Sequence, residues 1–203
     1  MDTLDALNKM LFLSINATEP SSSASMITIA IFIAKYLIYF IPLGMLIGWL
    51  RGNVTQRALI LKVLLATLLA LGLNYCVAQL WPQPRPFVIG LGHTWLAHAP
   101  TPSFPSNHMA IFMSVGLSLL ISPLKALGFI TLMASLAVAW ARIYLGVHFP
   151  LDMIGSVLTA SFAVAIMVPL WKKMGQRVTH CADKRYKKTI AYLVSVVHSI
   201  RPS

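Results

Sequence analysis

The sequence predicts an all-α protein: a membrane bundle of about five transmembrane helices, preceded by an N-terminal helix in the membrane interface. Three observations predict this class. Of the 203 residues, 58% are hydrophobic and only 10% are charged, whereas a soluble domain carries about 25% charged residues. The mean hydropathy is +0.76. Apolar runs near the roughly 20 residues that a bilayer requires recur along the chain between short polar turns.

The elements follow in order from these runs. Residues 3–16 place apolar side chains at helical spacing but are too few to cross a bilayer, which predicts an interfacial helix. The proline-rich loop 81–105 has no helical pattern. The predicted transmembrane helices cover residues 26–50, 58–80, 106–121, 126–144 and 150–171, of which the third is short. The chain divides into an interfacial helix and loop (1–25), a transmembrane domain (26–171) and a basic cytoplasmic tail (172–203).

The charge distribution predicts the orientation. The chain has 16 Lys and Arg against 5 Asp and Glu, a net charge of +11, and basic residues in short loops mark the cytoplasmic side of a membrane protein. They gather in the turn 51–57, at Lys125 and in the tail, which five spans place on one side. The N-terminus is then outside and the C-terminus inside, where the tail meets anionic lipids. Basic and aromatic residues do not alternate as a nucleic-acid surface requires, so the expected partners are membrane lipids and no nucleic acid.

Polar residues that could carry chemistry stand between the last two spans. Arg142 ends one predicted helix, and Pro150 fits the first position of the next, where its missing N–H costs nothing. His148 then lies just outside a helix N-terminus, and Asp152 lies in its first turn. A carboxylate there suits the helix dipole and is close enough to bind the imidazole N–H. Taken alone, this stretch is equally well explained as a polar turn with a satisfied histidine.

More polar residues fall on the same outer side of the predicted bundle. Arg85 follows the second span, and Ser106, Asn107 and His108 begin the third. Together with the stretch 142–152, they converge on one membrane surface from separate parts of the chain. Ionisable residues at such positions are candidates for function.

These residue types suit phosphoryl transfer. Arg85 and Arg142 can each bind two phosphate oxygens at once, which lysine cannot. Ser106, as the N-cap of the third span, and the N–H groups after it form an anion site. Two histidines and Asp152 remain, which are the groups needed for a nucleophile, its orienting partner and a general acid. No cluster has the spacing of metal ligands, so no metal and no cofactor are expected.

The arrangement resembles the three-part signature of the type 2 phosphatidic acid phosphatase superfamily, which includes membrane lipid phosphatases and vanadium haloperoxidases. Arg85-Pro86 is similar to the end of the first motif, and Pro-Ser-Asn-His at 105–108 to the second. Arg142, His148 and Asp152 are similar to the third, with the right residues at both gaps. The resemblance covers about residues 27–171.

The resemblance implies a role for each matching residue. His148 would be the nucleophile, Asp152 would orient it, and His108 would protonate the leaving group. Phosphate would be bound by Arg85, Ser106, Arg142 and N–H groups near Asn107.

The chain departs from the family pattern at two positions. Ala78 stands where the first motif usually opens with lysine, and Ala141 stands where the third motif often has serine. The missing lysine removes one phosphate contact. Lys35, within the first span, either extends toward the membrane surface or replaces that lysine.

Within the superfamily, the chain is most similar to bacterial undecaprenyl pyrophosphate phosphatases of the bacitracin-resistance type. This implies removal of the terminal phosphate of a polyprenyl diphosphate, undecaprenyl diphosphate, at the periplasmic face of the bacterial inner membrane. The alternatives are the same chemistry on phosphatidylglycerol phosphate or phosphatidic acid, transfer to lipid A, or a vanadate-dependent haloperoxidase. A non-enzymatic transport subunit is the alternative of another class. It predicts polar faces through several spans, which contain few polar residues besides Lys35 and Asn74.

Overall fold

The protein is all-helical, which confirms the predicted fold class. The structure, a computed structural model, describes residues 2–18 and 23–200, and within these ranges it contains no strand. Residues 19–22 of the predicted loop and 201–203 of the tail lie outside the described ranges. The helices are α1 (Asp2–Ile15), α2 (Ala24–Lys35), α3 (Phe40–Arg51), α4 (Val54–Leu80), α5 (Asn107–Leu120), α6 (Lys125–Tyr144) and α7 (Pro150–Ile200).

The chain is a multi-pass membrane protein. Four stretches are long and apolar enough to cross a membrane, namely Ala24–Arg51, Val54–Leu80, Lys125–Tyr144 and Pro150–Leu193. The fifth predicted span is α5, whose 14 residues extend about 21 Å. This is less than the roughly 30 Å of a hydrocarbon core. However, α5 packs against α4, α6 and α7, so protein rather than lipid surrounds most of it.

Small residues let the central helices approach closely. A Cβ added at Gly128 of α6 would overlap the backbone of Leu120 in α5. The hydroxyl of Ser114 in α5 donates to the hydroxyl oxygen of Thr67 in α4 at 2.9 Å. Small and hydroxyl side chains are favoured between membrane helices because burying apolar surface against lipid-like neighbours gives little driving force.

The sequence motifs meet at one end of the bundle, which we call the motif end. There α4 and α6 end, and α5 and α7 begin, as the alternation of spans predicts. The loop between α4 and α5 crosses this end. It contains a 3-10 turn, Pro86–Ile89, and a cis peptide bond between Phe104 and Pro105. The N–H of Ser103 donates to the carbonyl of Gln83 at 2.8 Å, which closes the loop on itself.

Helix α1 packs on the motif end. Phe12 is fully buried, and its ring centroid lies 5.3 Å from that of Phe149. Asn16, just after α1, links the α4–α5 loop to the end of α6, because its Nδ2 donates to the carbonyls of His93 and Tyr144. The opposite face of α1 exposes large apolar side chains, including Leu4, Leu7, Met10, Leu11 and Leu13. An exposed apolar face on a short helix suits the interfacial position predicted from the sequence.

The first span is interrupted, which the sequence analysis did not predict. A 3-10 turn, Leu37–Tyr39, separates α2 from α3. Pro42 explains the position of the break, because its ring removes the N–H that would bond to residue 38 and clashes with that carbonyl.

The last helix is longer than predicted. Instead of ending near Trp171, α7 passes through Pro169 and ends at Ile200, with 51 residues in all. The boundary drawn at 171 therefore falls inside a helix. Beyond that boundary, the buried guanidinium of Arg57 at the start of α4 binds Asp183 at 2.6 Å. Arg57 also lies 4.1 Å from the ring centroid of Tyr186. These contacts fix the helical extension against the α3–α4 turn.

Candidate active site

The loop between α6 and α7 presents a histidine to a helix N-terminus. Gly146 adopts φ +78°, and a Cβ there would overlap the carbonyl oxygen of His93, so only glycine fits. His148 and Asp152 are buried, and Nδ1 of His148 lies 2.9 Å from Oδ2 of Asp152. The same oxygen accepts the N–H of Phe149 at 2.8 Å. Asp152 thus caps α7 from its first turn, as the acid of a capping box does, and binds the imidazole at the same time.

A buried serine completes the environment of this carboxylate. The hydroxyl of Ser103 donates to Oδ2 of Asp152 and lies 3.3 Å from Nδ1 of His148. Ser103 has no exposed surface. The sequence analysis missed this residue, which stands just before the second motif but is not part of it.

Arg85 contacts the other nitrogen of the imidazole. Its Nη1 lies 3.1 Å from Nε2 of His148 and also donates to the carbonyl of Val147 at 2.9 Å. Its Nε and Nη2 donate to the carbonyl and hydroxyl oxygens of Thr101 and to the carbonyl of Pro102. Every N–H of the guanidinium is therefore directed at an acceptor.

These contacts determine the tautomer of His148. Arginine can only donate, so Nε2 must hold a lone pair and the proton must be on Nδ1, bound to Asp152. Burial lowers the pKa of His148 to about 4. The bond to Asp152 opposes this effect, and Arg85 and Arg142 add to it. At neutral pH the imidazole is uncharged, and the ring nitrogen that holds the lone pair is Nε2.

Two buried polar atoms at the motif end have no partner in the described part of the chain. They are the hydroxyl oxygen of Ser106, at the start of α5, and Nε of Arg142, at the end of α6. Arg142 is 3% exposed. Because an unpaired buried charge and an unpaired buried hydroxyl each cost free energy, both donors are available to an anionic ligand.

The remaining motif residues begin α5. His108 interacts electrostatically with His148, Arg142 and Arg85. Asn107 is exposed, and its Oδ1 accepts from Nδ2 of Asn74 at 3.1 Å. This bond leaves the Asn107 amide group free to donate. Asn74 is itself held by Thr159, whose hydroxyl donates to it at 2.6 Å, so this polar residue within α4 supports the site.

The comparisons with known proteins identify the family. The sequence profile of the PAP2 superfamily matches residues 59–176. The chain belongs to the PAP2 superfamily. The match includes every site residue named from the sequence, and it confirms the resemblance to the type 2 phosphatidic acid phosphatases. The match excludes α1, which contains none of the family motifs. Nevertheless, α1 contacts the loop that carries His148.

Relatives extend the similarity over most of this PAP2 protein. YbjG of Escherichia coli (strain K12) is 37% identical over 188 residues, which is 93% of this chain and 94% of that protein. Undecaprenyl-diphosphatase BcrC of Bacillus subtilis (strain 168) is 32% identical over 133 residues, 66% of this chain and 68% of that protein.

Two solved structures share the fold. The crystal structure of Aquifex aeolicus LpxE has a TM-score of 0.68 and 23% identity, over 80% of this chain and 95% of that one. The phosphatidylglycerolphosphate phosphatase of Bacillus subtilis has a TM-score of 0.60 and 16% identity, over 86% of this chain and 89% of that one.

The structure brings the predicted site residues of the PAP2 domain to the motif end and separates Lys35 from them. Lys35 is exposed, and its Nζ lies 5.4 Å from the ring centroid of Tyr36. Among the described residues, no contact links Lys35 to the site. The same part of the chain contains no group of three or more His, Cys, Asp or Glu residues able to hold a metal ion.

Proposed function

We propose that the protein hydrolyses undecaprenyl diphosphate to undecaprenyl phosphate and inorganic phosphate. The observation that carries this proposal is the pair of unpartnered buried donors, on Ser106 and Arg142, at the same end of the bundle as a neutral histidine whose Nε2 holds a lone pair. This combination suits a phosphate group held against a nucleophile. The lipid class is supported by BcrC of Bacillus subtilis, whose name is undecaprenyl-diphosphatase.

The residues suit attack by histidine. Nε2 of His148 attacks the terminal phosphorus in line, and the bond from that phosphorus to the bridging oxygen breaks. The electron pair leaves with the lipid phosphate, and His108 protonates the departing oxygen. Asp152 binds Nδ1–H throughout and stabilises the positive charge that develops on the ring. Arg142 and the start of α5 neutralise the transferring oxygens, where most of the rate acceleration should originate.

The second step releases phosphate. His108, now unprotonated, takes a proton from water, and the water oxygen attacks the phosphohistidine. The bond between phosphorus and Nε2 breaks, and its electron pair returns to the nitrogen. This restores the starting tautomer and frees inorganic phosphate. In the substrate-free protein Nη1 of Arg85 donates to Nε2 of His148. As substrate binds, this N–H must exchange its acceptor, from Nε2 to a phosphate oxygen.

The location follows from the charges. The turn 51–57, Lys125 and the extension of α7 concentrate basic residues at the end opposite the motif end. By the positive-inside rule, this distribution supports a site at the periplasmic face of a bacterial inner membrane. Its substrate would enter from the outer leaflet.

A panel of purified lipid phosphates tests the proposal. The protein in detergent, without added metal, should release phosphate fastest from undecaprenyl diphosphate, and more slowly from phosphatidylglycerol phosphate, phosphatidic acid and diphosphorylated lipid A. Wild-type protein with chelator and the His148→Ala variant serve as the controls. Faster hydrolysis of a monophosphate lipid would replace the proposed substrate. Activity that disappears in chelator and returns with one metal would contradict the mechanism.

A further inference from the structure

A third histidine faces the site, although it belongs to none of the three motifs. His98 lies in the loop between α4 and α5, and the centroid of its ring is 6.4 Å from that of His148. The rings meet edge to face, with an interplanar angle of 74°. The side chain is half-buried. The sequence analysis did not include His98 among the site residues.

A backbone contact fixes the orientation of this ring. Nδ1 of His98 lies 2.9 Å from the carbonyl oxygen of Ala99. A carbonyl only accepts, so Nδ1 carries the proton and Nε2 is the nitrogen that remains for a ligand. In the described part of the chain, no hydrogen bond to Nε2 of His98 is present.

The charges around His98 are those of an anion site. Burial lowers its pKa, the bond to Ala99 opposes this, and Arg85 and Arg142 lower it further. His98 also interacts electrostatically with His108. A neutral ring among arginines can accept a proton when a polyanion enters and reverses the local charge. It then offers Nε2–H as a charge-assisted donor.

Arg85 is committed elsewhere, which limits the donors that a second phosphate could use. Its N–H groups are directed at Thr101, Pro102, Val147 and His148. Even if one of these N–H groups turns to the incoming terminal phosphate, the other N–H groups remain bonded to their acceptors in the loops. The free donors of Ser106 and Arg142 suit the transferred group. A diphosphate carries a further charged group, the one that leaves with the lipid.

We propose that His98 binds the phosphate that is not transferred, through Nε2–H, and thereby favours diphosphate over monophosphate esters. This inference rests on the proposed function of the same site. His98 forms and breaks no covalent bond in the reaction. It contacts the leaving phosphate, whereas His148 contacts the terminal phosphorus.

The test compares His98→Ala with a matched variant, His93→Ala. His93 is in the same loop, but its ring packs at 4.4 Å from that of Trp95, and only its backbone binds Asn16. The substrates are farnesyl diphosphate and farnesyl monophosphate. His98→Ala should lower kcat/KM for the diphosphate roughly tenfold, mainly through KM, and change that for the monophosphate less than twofold. His98→Gln, which keeps an N–H donor, should recover part of the loss. His93→Ala should leave kcat/KM unchanged for both substrates.

Inhibition provides the same comparison without a lipid. In His98→Ala, inorganic pyrophosphate should inhibit roughly tenfold more weakly, and orthophosphate should be unchanged. Equal losses for both substrates, or no loss for either, would overturn the role of His98. Failure of the proposed function is visible separately, because wild-type protein would then not hydrolyse the diphosphate.

Discussion

At the scale of single residues, the site is organised by groups that can only donate or only accept. Arg85 can only donate, so Nε2 of His148 holds a lone pair, and the Asp152 carboxylate accepts from Nδ1, from the Phe149 N–H and from Ser103. An imidazole held by two opposed partners is already ordered before any ligand arrives. The cost of ordering it has been met in folding rather than in the reaction.

The first residue-scale prediction concerns ionisation. Because burial lowers the pKa of His148 to about 4 from the ordinary 6.5, the ring should remain neutral in the substrate-free protein from pH 8 down to about pH 5. The unfolded chain binds the proton more readily, so this group reduces stability as the pH falls from about 6.5 to 4. Spectra of ¹⁵N-histidine-labelled protein, assigned with His148→Gln, should show Nδ1 protonated and Nε2 unprotonated throughout. Titration near pH 6.5 would contradict the assignment.

Ser103 tests the support of the carboxylate. A hydrogen bond to a charged group contributes about 1.5–3 kcal/mol, and Ser103→Ala removes one from Asp152. The expected loss is about tenfold in kcat or more, with little change in KM. Ser118→Ala is the matched control, since Ser118 is also buried in the bundle, and its hydroxyl has no partner among the described residues. Equal kinetics for the two variants would remove Ser103 from the mechanism.

His108 should affect two substrates differently. A lipid phosphate is a good leaving group, whereas a lipid alkoxide is poor and needs a proton more. General acid catalysis contributes roughly 10²–10⁴ in rate, so His108→Ala should slow phosphoenzyme formation from a monophosphate more than from a diphosphate. This is the opposite of the pattern expected for His98→Ala. Rapid-quench experiments give the mutant-to-wild-type ratio of the rate of phosphoenzyme formation for each substrate. Equal ratios for the two substrates would mean that His108 is not the leaving-group acid.

At the scale of elements, the helix ends explain what could be predicted from the sequence. Ser106, His148 and Asp152 stand at helix starts, where capping and proline rules apply to neighbouring residues. Their positions at the starts of α5 and α7 therefore followed from local sequence. Ser103 and Asp183 did not, because their partners are 49 and 126 residues away in the chain. His98 was missed for the same reason, since no local pattern directs its loop toward His148.

The extension of α7 yields an element-scale prediction. Asp183 forms ion pairs with both Arg57 and Lys187. The side chains of Asp183 and Arg57 are each 10% exposed, whereas that of Lys187 is 66% exposed, so only the pair with Arg57 is buried. Removing one partner of a buried pair is strongly unfavourable, whereas an exposed pair contributes little. Asp183→Asn should therefore speed amide hydrogen exchange in residues 176–188, with kcat unchanged. Lys187→Ala should leave exchange nearly as in the wild type. If the two variants behave alike, the buried pair does not hold the extension.

At the scale of the whole molecule, the short length of the central helix α5 bears on function. The bundle surrounds it, so its N-terminus and the unpartnered hydroxyl of Ser106 can lie below the ends of the longer helices. A helix N-terminus binds anions through free N–H groups and the helix dipole, more strongly where water is excluded.

The whole-molecule prediction concerns orientation, and the native cysteines provide its control. Both are exposed, and Cys181 lies on the extension of α7 at the end opposite the site. Thr94→Cys, in the loop at the motif end, should be combined with Cys76→Ala so that two thiols remain, one at each end. Because basic residues mark the inner side, an impermeant maleimide should label position 94 in intact cells and Cys181 only after permeabilisation. Labelling of Cys181 alone in intact cells would invert the topology, and the substrate would then have to come from the inner leaflet.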